Sequence, residues 1–210
     1  RKACGEGLSY LAAPYLQRLG FDDDALKQLS TELFGYRLYT PAASGSDKIQ
    51  TTVRTDAVRC WGTARYALDS ELCKRASSLA SIGLSVPELV KTITRNQASW
   101  ELSTDLSRVS ARFLVLANGA HPQALARPFI KSENCASARI GLSARAEIVT
   151  DRAPQEVVII PFKDGEIYVT PLANDALNVS LVGTPAFIQS KRDPSALAKL
   201  IRDVSGIELI

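Results

Sequence analysis

The chain has 210 residues, 46% hydrophobic and 22% charged, the profile of an ordinary folded protein long enough to bury a core without covalent staples. Its net charge of +3 is small and dispersed, which leaves no nucleic-acid footprint, and no apolar stretch approaches the ~20 residues needed to cross a bilayer. The four cysteines, Cys4, Cys60, Cys73 and Cys135, form no C-x-x-C pair, which argues against structural zinc and a disulfide framework and makes a reducing cytoplasm the default setting. There is no methionine and residue 1 is Arg, so the sequence reads as a processed chain or an internal piece of a longer one.

Residues 1–8, R-K-A-C-G-E-G-L, set a thiol and two glycines around Glu6, the composition of a tight loop whose backbone can approach a ligand. Leu8, Leu11, Ala12, Tyr15, Leu16 and Leu19 then recur at helical spacing up to Gly20, and Pro14 is expected to kink or restart the helix. Asp22-Asp23-Asp24 predicts the N-cap of a second helix through about Leu33. A metal reading of these carboxylates is weaker, because adjacent side chains at a helix start diverge.

Tyr36–Tyr39 and Lys48–Val53 read as strands on either side of a Pro41–Asp47 loop. After a turn at Trp61-Gly62, the stretch Ala64–Ala76 places Leu68, Leu72, Cys73 and Ala76 on one helical face, with Glu71 and Arg75 as an i,i+4 pair. Gly83 is the expected stop and Leu84–Val86 a possible strand start. Val90–Thr94 and Ser99–Ser103 alternate around Asn96-Gln97, as in a β-hairpin.

Ala111–Pro122, A-R-F-L-V-L-A-N-G-A-H-P, is the stretch around which the rest is organised. The short apolar run Phe113–Ala117, stopped by Asn118-Gly119, predicts a strand buried on both faces of a parallel sheet. In such sheets ligands sit beyond the carboxyl end of a strand, where Asn118-Gly119-Ala120-His121 falls. A core strand followed by an ordinary turn is the plainer alternative. Beyond it, Arg139–Val149 alternates, Glu156–Pro161 is apolar, and Asp164-Gly165 and Asn174-Asp175 are turn signals before Leu177–Val182. Residues 137–183 are thus expected to form a meander of about four antiparallel strands. Ser195–Val204 closes as a helix with Pro194 at its start, and Ile207–Ile210 looks like a strand cut off at its beginning. The pattern implies an α/β, mixed α+β fold: an α/β layer plus a second, antiparallel sheet.

Several of these segments together resemble one family. Arg1–Ser9 resembles the D-K-x-C-G-E-G-L loop of FAD-dependent oxidoreductases related to geranylgeranyl reductases and aromatic-ring hydroxylases of the p-hydroxybenzoate hydroxylase type. Arg65–Leu72 is similar to their R-x-x-L-D-x-x-L helix, and Phe113–Pro122 to their strand and turn ending in A-D-G-x-x-S. Glu166–Leu181, with Tyr168–Pro171 and Asn178–Leu181, is similar to strands of their substrate domain. The order and rough spacing match over nearly the whole chain.

The resemblance implies a Rossmann-like FAD-binding layer, from residues 1–35 and 62–130, interleaved with an antiparallel substrate-binding sheet from residues 36–61 and 137–190. Residues 191–210 would be a helix returning to the FAD domain. It implies FAD contacts from Cys4, Gly5, Glu6, Gly7, Arg65, Asn118 and Gly119, and substrate contacts from Tyr168 and Pro171. The cofactor would carry the redox chemistry while the protein positions it and excludes water. NAD(P)H is left open as electron donor, as are reduction of an isoprenoid double bond, hydroxylation of an aromatic ring, and peripheral membrane contact by a protein acting on a small apolar substrate. No catalytic side chain is implied. The family's Gly-rich fingerprint precedes the Cys-Gly-Glu-Gly loop, a Gly-Asp motif follows the substrate sheet, and no G-x-G-x-x-G occurs in this sequence. The chain therefore reads as the middle of a flavoprotein, expected to be poorly soluble and to hold FAD weakly or not at all by itself. It departs from the family pattern with Asn118 in place of Asp, Pro122 in place of Ser, and the following basic residue displaced to Arg127.

Each candidate has a plainer reading beside it. Cys4 is either a thiol beside the flavin or a buried structural cysteine. Glu6 braces its loop rather than acting as a base. Arg65 is either a flavin contact or a helix-start arginine in a surface ion pair, with Asp69 orienting it. His121 is the only histidine, and no feature joins it to a thiol as a Cys–His hydrolase would require. Trp61, Trp100, Phe162 and Tyr168 either line an apolar pocket or belong to the core. A function of another class also fits: a non-catalytic module that holds an apolar ligand.

Overall fold

The computed structural model describes residues 4–40, 49–54, 60–118, 125, 127–129, 139–148 and 154–209. The chain divides into two compact units, one from Arg1–Ala76 with Ser137–Ile210 and one from Ser77–Ala136.

In the first unit, β1 (Gly7–Leu8) and a 3-10 turn over Tyr10–Ala12 lead into α1 (Ala13–Arg18). Pro14 stands in the first turn of α1, where its missing N–H has no helical partner to lose, so it restarts the helix instead of breaking it. Asp22 accepts the Ala25 N–H at 2.8 Å and caps α2 (Asp23–Leu29), as the sequence predicts. That helix ends at Leu29 rather than near Leu33. Ser30–Leu33 forms β2, followed by β3 (Gly35–Thr40), β4 (Ile49–Arg54), β5 (Cys60–Thr63) and α3 (Arg65–Ser78). Tertiary pairing overrides helix propensity here: β2 runs antiparallel to β5, and Ser30 and Leu33 are buried in the pair. The sheet order β1-β5-β2 brings the N-terminal loop against the strand that feeds α3.

The second unit holds an antiparallel meander of β6 (Val90–Arg95), β7 (Trp100–Thr104) and β8 (Arg108–Ala111). The hairpin around Asn96 is as expected, with Asn96 Oδ1 accepting the Ala98 and Ser99 N–H groups. The third strand was not foreseen, and Leu84–Val86 forms none. Phe113–Ala117 corrects the central expectation. It belongs to no strand, and Phe113 and Val115 are 83% and 85% exposed. Exposure alternates along the segment while Leu114 and Leu116 turn inward, toward Val90, Ile93 and Leu102. An apolar run becomes a buried strand only when neighbouring strands take up its backbone hydrogen bonds, and none of the described strands does so. Gly119, His121 and Pro122 lie outside the described residues.

Returning to the first unit, β9 (Ile140–Glu147), β10 (Val157–Phe162), β11 (Gly165–Pro171) and β12 (Ala176–Gly183) join β3 and β4 in a six-stranded sheet of order β4-β3-β10-β11-β12-β9. Its pairs are antiparallel except β3 with β10. The four expected strands exist, but β9 pairs with β12 and not with β10, so they are not a simple meander. Both turn signals hold: Phe162 faces Gly165 across the β10–β11 hairpin, and Asn174 and Asp175 adopt positive φ before β12.

The two faces of this sheet differ in chemistry. On one, Val158, Ile160, Ile167, Val169, Leu177 and Val179 pack beneath α4 (Pro185–Ser190) and α5 (Pro194–Ser205), which contribute Phe187, Ile201 and Val204. Each such side chain contributes about 1.5–3 kcal/mol on burial. Pro194 follows the capping Asp193 as expected. On the other face the period-two register aligns Asn178 and Ser180 of β12 with Arg145 and Ser143 of β9. That polar track is where the N-terminal loop lies. Trp61 and Phe162 are core residues, Trp61 with Phe21 and Leu26, Phe162 against Phe187.

Candidate functional site

Glu6 organises the site. It sits at φ 55°, 5% exposed, between the two glycines of the loop. Its carbonyl accepts the Thr63 N–H at 2.8 Å, continuing the pairing of β1 with β5. Its carboxylate accepts the backbone N–H of Arg65 at 3.0 Å. Arg65 opens α3, so a carboxylate from 59 residues upstream caps a helix N-terminus, where free donors and the helix dipole favour negative charge. Arg145 Nη2 completes the pair, 2.9 and 2.8 Å from the two carboxylate oxygens, and its guanidinium lies over the Tyr66 ring. Glu6 therefore braces the loop, as the sequence predicts.

This brace brings the Cys4 loop to Arg65. The Arg65 side chain is half exposed, and its Nε donates to both Asp69 oxygens at 2.9 Å. Asp69 raises the guanidinium's pKa first and the neighbouring Cys4 side chain adds to the rise, so Arg65 stays charged. Cys4 is half-buried with a free thiol, and its Sγ accepts the Glu6 N–H at 3.4 Å. A Cβ on Gly5 would meet nothing within 4 Å, so that side of the loop is open. The result is a small platform made of an exposed glycine backbone, a thiol and a fixed cation. Such a platform can pack on a flat, electron-accepting ring and donate hydrogen bonds to its edge.

The loop is also held from beneath. The Cys4 carbonyl accepts from Asn178 Nδ2 at 2.9 Å, Ser180 Oγ at 3.0 Å and Ser143 Oγ at 3.2 Å, while the Cys4 N–H donates to Ser143 Oγ at 3.0 Å. Sequence reasoning missed Ser143, Arg145, Asn178 and Ser180 as site residues. Their signal was present: polar residues at period two inside otherwise apolar strands, in S-x-R and N-x-S.

The two expected substrate contacts differ. Tyr168 is half-buried on the β11 face, and its hydroxyl donates to Glu166, which also pairs with Arg139 at 3.1 Å. Burial first, then Glu166, push the Tyr168 phenol up to about 12. Pro171 is fully buried, and its carbonyl faces Gly62 so closely that an added Cβ there would collide with it. Asn118 lies in the second unit and borders an apolar cavity of about 320 Å³ lined by Val90, Ile93, Leu102, Leu114 and Leu116. No group of three or more metal-ligating side chains occurs among the described residues, and none of their helices is long and apolar enough to cross a membrane.

No family model and no curated protein matches the sequence. Solved structures do match. A mutant form of PqsL from P. aeruginosa aligns with a TM-score of 0.74 at 10% identity, covering 99% of this chain and 57% of that one. A flavoprotein/dehydrogenase from Cytophaga hutchinsonii gives 0.71 at 18%, covering 100% and 56%. The halogenase PltM in complex with phloroglucinol and FAD gives 0.70 at 13%, covering 91% and 44%. The chain thus spans about half the length of the solved structures it matches, and at these identities the likeness is one of fold. Over the part of each that it spans, the chain shares the fold of these solved structures, a flavoprotein/dehydrogenase and an FAD-bound halogenase among them.

Proposed function

We propose that the chain belongs to a flavin-dependent oxidoreductase in which the Cys4–Gly7 loop and Arg65 hold the isoalloxazine end of FAD. The observation that carries this reading is the meeting of two segments 59 residues apart, locked by the Glu6 carboxylate on the Arg65 N–H. The residues fit a flavin ring: Gly5 leaves one side of the loop open, and Arg65 offers a charged donor that Asp69 keeps in place. They do not supply a pyrophosphate site, since no glycine-rich fingerprint occurs in the sequence. Bound FAD would supply hydride or electron transfer.

In this reading the six-stranded sheet is the substrate layer, and Tyr168 meets a small apolar or aromatic substrate. With its proton committed to Glu166, the Tyr168 oxygen is free to accept a hydrogen bond from a substrate hydroxyl or amine. Both reduction and oxygenation suit this arrangement, with NAD(P)H as the proposed electron donor.

FAD titrated into the chain should quench flavin fluorescence with weak affinity, and Arg65→Ala should weaken that binding by about tenfold, the worth of one charge-assisted hydrogen bond. Equal binding by the two proteins would overturn the assignment of Arg65. The apolar cavity beside Leu114 and Leu116 favours a second reading, a module that binds an apolar ligand without catalysis. An apolar fluorescent probe displaced from that cavity by lipid-like compounds, in a chain that ignores flavins, would support it.

A further inference from the structure

The underside of the Cys4 loop carries a polar network that packing does not explain. Asn178 is fully buried and Ser180 3% exposed, in a strand whose other face is apolar core. The Asn178 amide donates both to the Cys4 carbonyl and, at 2.8 Å, to Ser180 Oγ. Ser180 and Ser143 hydroxyls lie 2.9 Å apart, and each reaches the Cys4 carbonyl. Ser143 also takes the Cys4 N–H. Both backbone polar groups of Cys4 are thereby fixed by three side chains from two adjacent strands.

The cost of this network marks its purpose. Asn178 Oδ1 is buried with no hydrogen-bond partner among the described residues. Leaving such an oxygen unmet costs about 1–3 kcal/mol, so an apolar residue here would serve stability better. What Asn178 offers that leucine cannot is a donor aimed at the Cys4 carbonyl.

We propose that Asn178, Ser180 and Ser143 are positioning residues, which clamp the Cys4 backbone to the six-stranded sheet and so hold the Cys4 thiol, which accepts the Glu6 N–H, on the loop that the Glu6 carboxylate ties to the start of α3. The proposal rests on the flavin reading for its purpose, but the clamp itself is a matter of where the thiol stands.

The thiol's distance from Arg65 can be read by labelling Cys4 with anionic iodoacetate and neutral iodoacetamide, with each cysteine followed separately by peptide mass spectrometry. A cation near 4 Å favours the anionic reagent by about fivefold even in water. In the intact chain the iodoacetate-to-iodoacetamide ratio at Cys4 should exceed that of the same thiol in the urea-unfolded chain by about that factor. Asn178→Leu should bring the ratio down to the unfolded value while buried Cys60 stays protected. Ser180→Ala, a smaller change, should lower it in the same direction by about twofold. A ratio at Cys4 no higher than in the unfolded chain, or one that neither substitution changes, would overturn the clamp. So would exposure of Cys60 together with Cys4 in both variants, because that marks general loss of packing. Added FAD tests the underlying reading separately. It should slow Cys4 labelling in the unsubstituted chain, and failure to do so beside the expected variant effects would count against the flavin and not against the clamp.

Discussion

Glu6 shows how much one side chain can settle. Its positive φ, its burial and its three backbone or guanidinium partners are mutually dependent, since a carboxylate is tolerated in the interior only when it is paired and hydrogen-bonded. Tyr168 makes the corresponding case on the sheet. Its phenol is raised to about 12 by burial and then by Glu166, while Glu166 is held below the usual carboxylate range by the Tyr168 hydroxyl and then by Arg139. The signs are opposite in consequence. The tyrosine's contribution to stability is complete below its ordinary 10.0 and is lost as pH rises toward 12. The glutamate's contribution is present above its ordinary value and is lost as pH falls through its lowered one. In a spectrophotometric titration at 295 nm, the difference between the chain and Tyr168→Phe should show one phenol with a midpoint near 12. Glu166→Gln should move that midpoint toward 10. A Tyr168 midpoint already at 10 in the unsubstituted chain would remove the pair from the site.

At the scale of elements, the legible parts were those whose signals are local. Caps and turns announced themselves through Asp22, Pro194, Gly165 and the Asn174-Asp175 pair, because each residue type solves a backbone problem where it stands. The helix that Arg65 opens was legible from the spacing of Leu68 and Leu72 and from the Glu71–Arg75 pair, and the Cys4 loop from its two glycines. What misled were elements decided by partners distant in sequence. Ser30–Leu33 continues a helical pattern but is claimed by β5, and Phe113–Ala117 has the composition of a buried strand without a described neighbour to make it one. The grip of Asn178, Ser180 and Ser143 on residue 4 was hidden for the same reason. Gly62 is the element-scale pivot, since β5 can pass the end of β11 only if nothing projects toward the Pro171 carbonyl. Gly62→Ala should cost more than about 3 kcal/mol in denaturant unfolding, because the obstructing atom is backbone and cannot swing aside. A loss below about 1 kcal/mol, the scale of an ordinary substitution, would mean that β5 and the Pro171 carbonyl leave room for a methyl group.

Across the whole molecule, one sheet serves two purposes through its two faces. The apolar face, under α4 and α5, supplies the main core, and the polar face receives the N-terminal loop. Stability and site are thus separable by the strand's period of two, which is why Val179 and Asn178 can be neighbours with unrelated tasks. In the proposed function the Cys4–Gly7 loop and the start of α3 form one flavin-binding surface. The most direct measurement is a two-dimensional amide NMR titration of the chain with FAD, which detects weak binding residue by residue. Saturable shifts concentrated at Gly5, Glu6, Gly7, Arg65 and Asp69 are the expected result. No shift at these amides, or shifts confined to residues around the Leu114–Leu116 cavity, would contradict it.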